Sequence, residues 1–143
     1  MADNTFRLRV ITPQEVVVDE NVNMIVMRSV QGEMGVLPGH ADYSVLLEYG
    51  QLRIFTISEE RYMAVSGGVA EVTAESVTIV TKEALWPHDI NLDDVQAQRS
   101  SIMSRLESGA PDLDVQKERL KLGRVQVMLD TVAEAMDSVQ QDR

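Results

Sequence analysis

The hydrophobic period of this chain changes once, at Trp86-Pro87, and that change limits what it can fold into. Before it, apolar residues recur at every second position; after it, they recur at steps of three and four. A period of two lines one face of a strand and a period of 3.6 lines one face of a helix, so no single regular element satisfies both. Proline also drives the residue before it out of helical backbone space, which makes this step a boundary. The expected organisation is an all-β unit over residues 1–86 followed by a helix-loop-helix unit over residues 87–143.

In the first unit, Phe6, Leu8 and Val10 alternate with Arg7, Arg9 and Ile11. Leu52, Ile54 and Thr56 alternate in the same way, as do Val77 and Ile79. Short β-branched runs occupy 16–18, 22–27, 45–47, 62–65 and 69–73. Turn chemistry separates them at Thr12-Pro13, Asp19-Glu20-Asn21, Tyr49-Gly50, Ser58-Glu59-Glu60 and Ala74-Glu75-Ser76. Spacing of this kind predicts about 8–10 antiparallel strands in a sandwich or flattened barrel. Many segments are apolar on both faces, which is expected where two sheets bury each other.

Beyond the boundary, Asn91 is placed to cap a first helix, with Asp93 and Asp94 in its opening turn where the helix dipole favours acids. Leu92, Val95, Ile102, Met103 and Leu106 form its apolar stripe, and Ser108-Gly109-Ala110-Pro111 ends it. Asp112 or Asp114 caps a second helix running to about Val139. Leu122, Val125, Leu129, Val132, Met136 and Val139 recur in it at steps of three and four, the seam of a helix-helix contact. Leu113, Leu120 and Val127 make a thinner line on the opposite side. It either packs on the β-unit or meets another neighbour, because a pair of helices this small cannot shelter a core alone.

Composition removes several functions. The net charge is −10, shared between 12 acids and 6 bases in residues 1–86 and 11 acids and 7 bases in residues 87–143. A phosphate backbone or an anionic lipid surface repels such a chain, so no nucleic-acid partner and no direct membrane adhesion are expected. No apolar run approaches the ~18 residues of a membrane span. Met1-Ala2-Asp3-Asn4 lacks the basic-then-apolar order of a secretory leader. With zero cysteines there is neither a disulfide nor a thiolate, which fits a cytoplasmic location.

Nothing in the sequence assembles a catalytic constellation. Gly67-Gly68 lacks the lysine and spacing of a phosphate loop, and no nucleophile elbow or zinc-helix motif occurs. His40 and His88 lie in different units, each beside a proline turn, too few for a metal centre. Asp93-Asp94 and Asp112-x-Asp114 sit where helices begin, and capping accounts for both. Lys117, Lys121 and Arg124 share one helical face, with Arg119 nearby on another. Two readings stand: a solvated face, or a docking strip for an acidic partner surface. Gly123, inside the same helix, costs about 1 kcal/mol relative to alanine and marks a close approach or a weak point.

Three segments together resemble a known family. Phe6-Arg7-Leu8-Arg9-Val10-Ile11-Thr12-Pro13, the glycine-punctuated run Gly32-Glu33-Met34-Gly35-Val36-Leu37-Pro38-Gly39-His40-Ala41, and Val65-Ser66-Gly67-Gly68-Val69-Ala70-Glu71-Val72 are similar, in order and spacing, to the epsilon subunit of bacterial F-type ATP synthases. The resemblance implies a ten-stranded sandwich that grips the gamma subunit and rests on the c-ring, making membrane contact only through the complex, peripheral and on the cytoplasmic face. Glu33, Gly35, Leu37 and His40 would be partner-binding residues at the ring-facing end. The hairpin would have a compact and an extended state, the latter inserting among the catalytic alpha and beta subunits to brake ATP hydrolysis, with Lys117, Lys121 and Arg124 meeting acidic surfaces. Some family members bind ATP between the helices through Ile/Leu-Asp-x-x-Arg-Ala. Here that place is Leu92-Asp93-Asp94-Val95-Gln96-Ala97, glutamine standing for arginine, and of the supporting arginines only Arg124 remains, Met103 and Met128 occupying the others. Lost charged donors remove the strongest phosphate bonds, so no cofactor is expected. The alternative is a nucleotide-sensing module whose hairpin closes over ATP.

Overall fold

The structure is a computed structural model that describes residues 4–141, with side chains described to Asp137. Strands β1 (Phe6–Ile11), β2 (Val16–Val22), β3 (Met24–Ser29), β4 (Gly32–Val36), β5 (Tyr43–Phe55), β6 (Glu60–Val72), β7 (Ser76–Val80) and β8 (Ala84–Leu85) precede a 3-10 turn at Pro87–Asp89. Helices α1 (Leu92–Ser108) and α2 (Val115–Gln141) follow. The fold is thus the expected β-sandwich followed by a helical hairpin.

The eight strands form one sheet in the order β2-β1-β7-β6-β5-β3-β4, with β8 added on β6. Pairing is antiparallel throughout except between β1 and β7, which run parallel from Arg7↔Ser76 to Ile11↔Val80. Alternation in a sequence reports which face is buried and is blind to strand direction, so this pair escapes prediction.

β5 and β6 are 13 residues each and stay in one register from Tyr43↔Val72 to Phe55↔Glu60. Tyr49-Gly50, expected as a turn, is therefore mid-strand. The second half of β6 pairs with β7 while its first half pairs with β8, so the long strands serve both layers as the sheet folds over itself. That continuity explains why eight strands, not ten, are counted. The bend falls at Gly67 and Gly68, with φ of 85° and 111°. A Cβ on Gly68 would lie 2.0 Å from the Val80 carbonyl oxygen, so glycine is required there for the backbone angle and for the close approach alike.

Alternate residues of every long strand meet inside. Leu8, Val10, Ile25, Ile54, Met63, Val77 and Ile79 are wholly buried, and Trp86 packs against them from the end of the sandwich. A separate cluster of Val95, Ile102 and Val125, flanked by Ile90, Leu106, Leu122, Met128 and Leu129, joins the helices. The last residue on the sandwich core (Trp86) and the first on the hairpin core (Ile90) are thus joined by the single turn Pro87–Asp89, where the Trp86 N–H donates to Asp89 Oδ2 at 3.1 Å. Asn91 accepts the Asp94 N–H, Asp114 accepts the Lys117 N–H, and Gly109 closes α1 at φ 62°. Of the two candidate caps, Asp114 therefore serves α2.

α2 has 27 residues against 17 in α1, about 15 Å more, and besides α1 it contacts β5 and β6. The ends of the expected stripes are open: Leu92 is 38% and Met136 58% exposed. Val139, the last expected seam residue, lies outside the described side chains.

Candidate functional site

The outer faces of the two layers differ. On the layer formed by β3, β5 and the start of β6, outward residues of β5 meet α2: the Arg124 guanidinium lies 5.7 Å above the Tyr49 ring. Of the thinner apolar line, Leu120 and Val127 turn to this side, whereas Leu113 precedes α2. Val127 is half-buried beside Tyr49 and Gly50, while Leu120 stays 65% exposed.

Among the described residues, the main helix contacts of the sandwich are with β5, β6 and the Pro87–Asp89 turn, which leaves the other layer open. Register sets Val16 beside Ile11, Ile11 beside Val80, Val80 beside Val69 and Val69 beside Leu46, and the Val30 N–H donates to the Leu46 carbonyl at 3.0 Å. Their chain neighbours Val10, Ile79, Ala70 and Leu47 are buried, so the row points away from the core. Val16, Val80, Leu46 and Val30 are each more than half exposed. Six residues at strand spacing make an apolar ridge about 24 Å long. Exposed apolar surface organised in this way is the signature of an interaction face, whereas scattered single residues are not.

A polar row borders it: Asp19, Arg9, Thr78, Glu71 and Ser44, with Ser44 Oγ donating to Glu71 at 2.8 Å and Arg9 Nε buried without a partner. The doublets Leu46-Leu47, Val69-Ala70 and Ile79-Val80 carried the signal. Apolar residues on both faces are expected where two sheets bury each other; in the structure only one member of each doublet is in the core.

Glu33, Gly35, Leu37 and His40 do not form one patch. Glu33, near the start of β4, is exposed and lines a groove with Arg28, Arg119 and Leu120. Leu37, 57% exposed, begins the loop past the other end of β4, about 13 Å along the strand from Glu33. That loop is stiffened at two points: the Gly39 N–H donates to the Ala74 carbonyl at 3.0 Å, and the His40 ring meets the Tyr43 ring edge-on at 5.1 Å. Gly35 is exposed within β4, opposite Val26.

Between sandwich and hairpin lies an open cleft of about 1340 Å³. Lys82, Arg105, Lys121 and Arg124 line it, facing Glu15 and Glu83. Of the degenerate nucleotide motif, Ala97 and Arg124 reach this cleft. Leu92, Asp93 and Gln96 are exposed and do not line it, and Met128 lines it where a charged donor is wanted. Lys121 pairs with the buried Glu118 at 3.6 Å. Arg105 donates to Glu118 Oε2 from Nε and Nη2 at 3.2 and 3.0 Å, and these bonds hold the Glu118 carboxyl below the usual carboxylate range. Lys117 is exposed and outside the cleft, so the three-residue basic strip is divided between solvent and cleft.

Among the described residues, no three His, Cys, Asp or Glu side chains converge as metal ligands, and no helix is long and apolar enough to cross a membrane. On the β-domain side, Arg61 stacks 5.2 Å from the Trp86 ring and pairs with Glu20 and Glu59, fixing the end of the sandwich.

Residues 5–87 match the family model of the ATP synthase delta/epsilon chain β-sandwich domain. The chain is 38% identical over 109 residues to the ATP synthase epsilon chain of Alkalihalophilus pseudofirmus, covering 76% of this chain and 82% of that one. To the epsilon chain of Bacillus subtilis it is 32% identical over 111 residues, covering 78% and 84%. A chain in the structure of the Euglena gracilis mitochondrial ATP synthase OSCP/F1/c-ring shares the fold at TM-score 0.79 and 22% identity, covering 92% of this chain and 84% of that one. By the sandwich model, by two relatives that span most of its length and by the shared architecture, this chain belongs to the ATP synthase epsilon chain family.

Proposed function

We propose that the chain is a non-catalytic central-stalk subunit that couples the gamma subunit to the c-ring, with the apolar ridge Val16–Ile11–Val80–Val69–Leu46–Val30 as its grip on gamma. One observation carries this reading: the sandwich leaves one outer face free and apolar while the hairpin occupies the other. A joint that transmits torque needs apolar area and a stiff backbone rather than a reactive side chain. The pinned loop Leu37–Ala41 is the ring-facing contact, together with Glu33 and Gly35 on the strand that leads to it. In this reading the subunit is peripheral, on the cytoplasmic face of the membrane, and touches the membrane only through the complex.

The hairpin is the regulatory part. Its helical core is separate from the sandwich core and is joined to it through one turn, so it can leave without unfolding the grip. Extended, it would insert among the alpha and beta subunits and restrain hydrolysis, with Lys117, Lys121 and Arg124 meeting acidic surfaces. Deleting residues 88–143 is expected to leave gamma binding intact and to change ATPase activity in the assembled enzyme. Loss of complex formation on truncation would overturn this division.

The rival reading, closure of the hairpin over ATP, draws on the four cations of the cleft. Against it stand the glutamine at position 96 and the exposure of Asp93. Calorimetry separates the two: no heat at millimolar ATP removes the sensor.

A further inference from the structure

α2 carries two faces. Leu122, Val125 and Leu129 pack in the core shared with α1; Arg124, Val127, Thr131 and Glu134, at steps of three, four and three, share the opposite face. Thr131 on that second face is fully buried, and its hydroxyl is satisfied within the helix by the Val127 carbonyl at 2.7 Å. On β5, Tyr49 and Arg53 are four residues apart and therefore project from the same side of the sheet, the side α2 covers. Ten residues of helix rise about 15 Å and four residues of strand about 13 Å, so residues 124 and 134 match residues 49 and 53 in spacing.

The chemistry matches as well. Arg124 sits on the Tyr49 ring at 5.7 Å. Arg53 is held in place by Phe55 and Tyr62, at 5.6 and 6.0 Å, and by Glu60 at 3.1 Å. Glu134 lines the adjoining groove with Gln51, which stands two residues from Arg53 on the same side of β5.

We propose that Arg124 on Tyr49, together with Glu134 seated beside Gln51 on the Arg53 side of β5, forms a register clasp that holds the hairpin on the sandwich without a bound ligand. The clasp rests on the reading of the hairpin as a movable arm. It gives Arg124 a task in the compact state. A slip of α2 by one turn, about 5.4 Å, breaks the Arg124–Tyr49 contact and carries Glu134 away from Gln51 at the same time, so the docked arm has one position. Charges of opposite sign at the two points also exclude docking in the reverse direction.

Amide hydrogen exchange of α2 in the isolated full-length chain tests this, because it reads the opening equilibrium even when the open state is rare. Arg124→Gln and Tyr49→Leu are each expected to speed exchange across residues 117–134 roughly two- to fivefold, the range of a partly exposed cation–ring contact. Tyr49→Phe retains the ring face and is expected to exchange like the unaltered chain. The double variant Tyr49→Leu/Arg124→Gln should be no faster than the faster single, and Glu134→Gln should speed exchange less than Arg124→Gln. Amides of β6 and β7, unchanged throughout, confirm that the sandwich is intact. Unchanged α2 exchange in Arg124→Gln, equal acceleration by Tyr49→Phe and Tyr49→Leu, or effects that multiply in the double variant would each overturn the clasp. Faster exchange with unaltered hydrolysis in the assembled enzyme leaves the clasp standing and removes the brake instead.

Discussion

Replacing Gly68 by alanine tests how the bend in β6 builds the proposed gamma grip. Two costs arise at this position. At φ 111° the backbone is outside the range of an L-residue, a strain of about 1–3 kcal/mol. The added Cβ also lies 2.0 Å from the Val80 oxygen, 3.0 Å from its carbonyl carbon and 3.1 Å from Thr81 Cα, all backbone atoms with no flexible end to swing aside. β7 must then retreat from β6, weakening ladder hydrogen bonds worth about 1 kcal/mol each. The combined loss is about 3–5 kcal/mol. Gly32→Ala provides the comparison: its φ is 116° but a Cβ there meets nothing within 4 Å, so it carries the strain alone. Urea unfolding followed by the fluorescence of Trp86, the single tryptophan, reports on the sandwich because that ring packs on its core. Gly68→Ala should fall about 2 kcal/mol below Gly32→Ala. It should also bind gamma more weakly at concentrations where it remains folded, since Val69 and Val80 of the ridge are displaced. Equal midpoints for the two variants would refute the close approach as the reason for this glycine.

Leu46→Asp removes one ridge side chain worth about 1.5–3 kcal/mol when covered, and should weaken gamma binding roughly ten- to a hundredfold without moving the Trp86 unfolding midpoint. Undiminished affinity would exclude the ridge as the grip. Changing Lys117, Lys121 and Arg124 together to alanine should weaken inhibition of hydrolysis and reduce its salt sensitivity; unchanged inhibition would leave the strip a solvated face. Hydrogen bonds from Arg105 are the main cause of the lowered Glu118 pKa, so their stabilisation is complete above the ordinary carboxylate range and is lost as pH falls through the folded value. Acid should therefore loosen α2, by amide exchange, before it affects the sandwich. In Glu118→Gln that acid step should disappear, and its persistence would show that another group controls it.

The change of period at Trp86-Pro87 was enough to read two units of different secondary structure, because burial of one strand face or one helix stripe is written into local spacing. Helix caps were legible for the same reason: Asn91 and Asp114 act within three residues of themselves. Strand continuity was not, since Tyr49-Gly50 has turn composition yet is held extended by Ser66 and Val65 of β6, even where the pairing with β3 shifts register. The parallel pairing of β1 with β7 lies equally beyond local pattern, since the two strands are more than sixty residues apart in sequence.

The candidate surface divides in the same way. That Leu46, Val69 and Val80 are apolar beside apolar neighbours is visible in the chain; that they stand side by side, uncovered, depends on the register of three strands. The positions of Lys121 and Arg124 on one face of a helix follow from spacing, whereas Arg124 stacking on Tyr49 depends on where that helix lies. Local periodicity and capping thus determined the elements and their boundary, because those energies act between near neighbours. Which apolar face was covered, which charge was occupied and where the open ridge formed were decided by long-range packing, which no local pattern encodes.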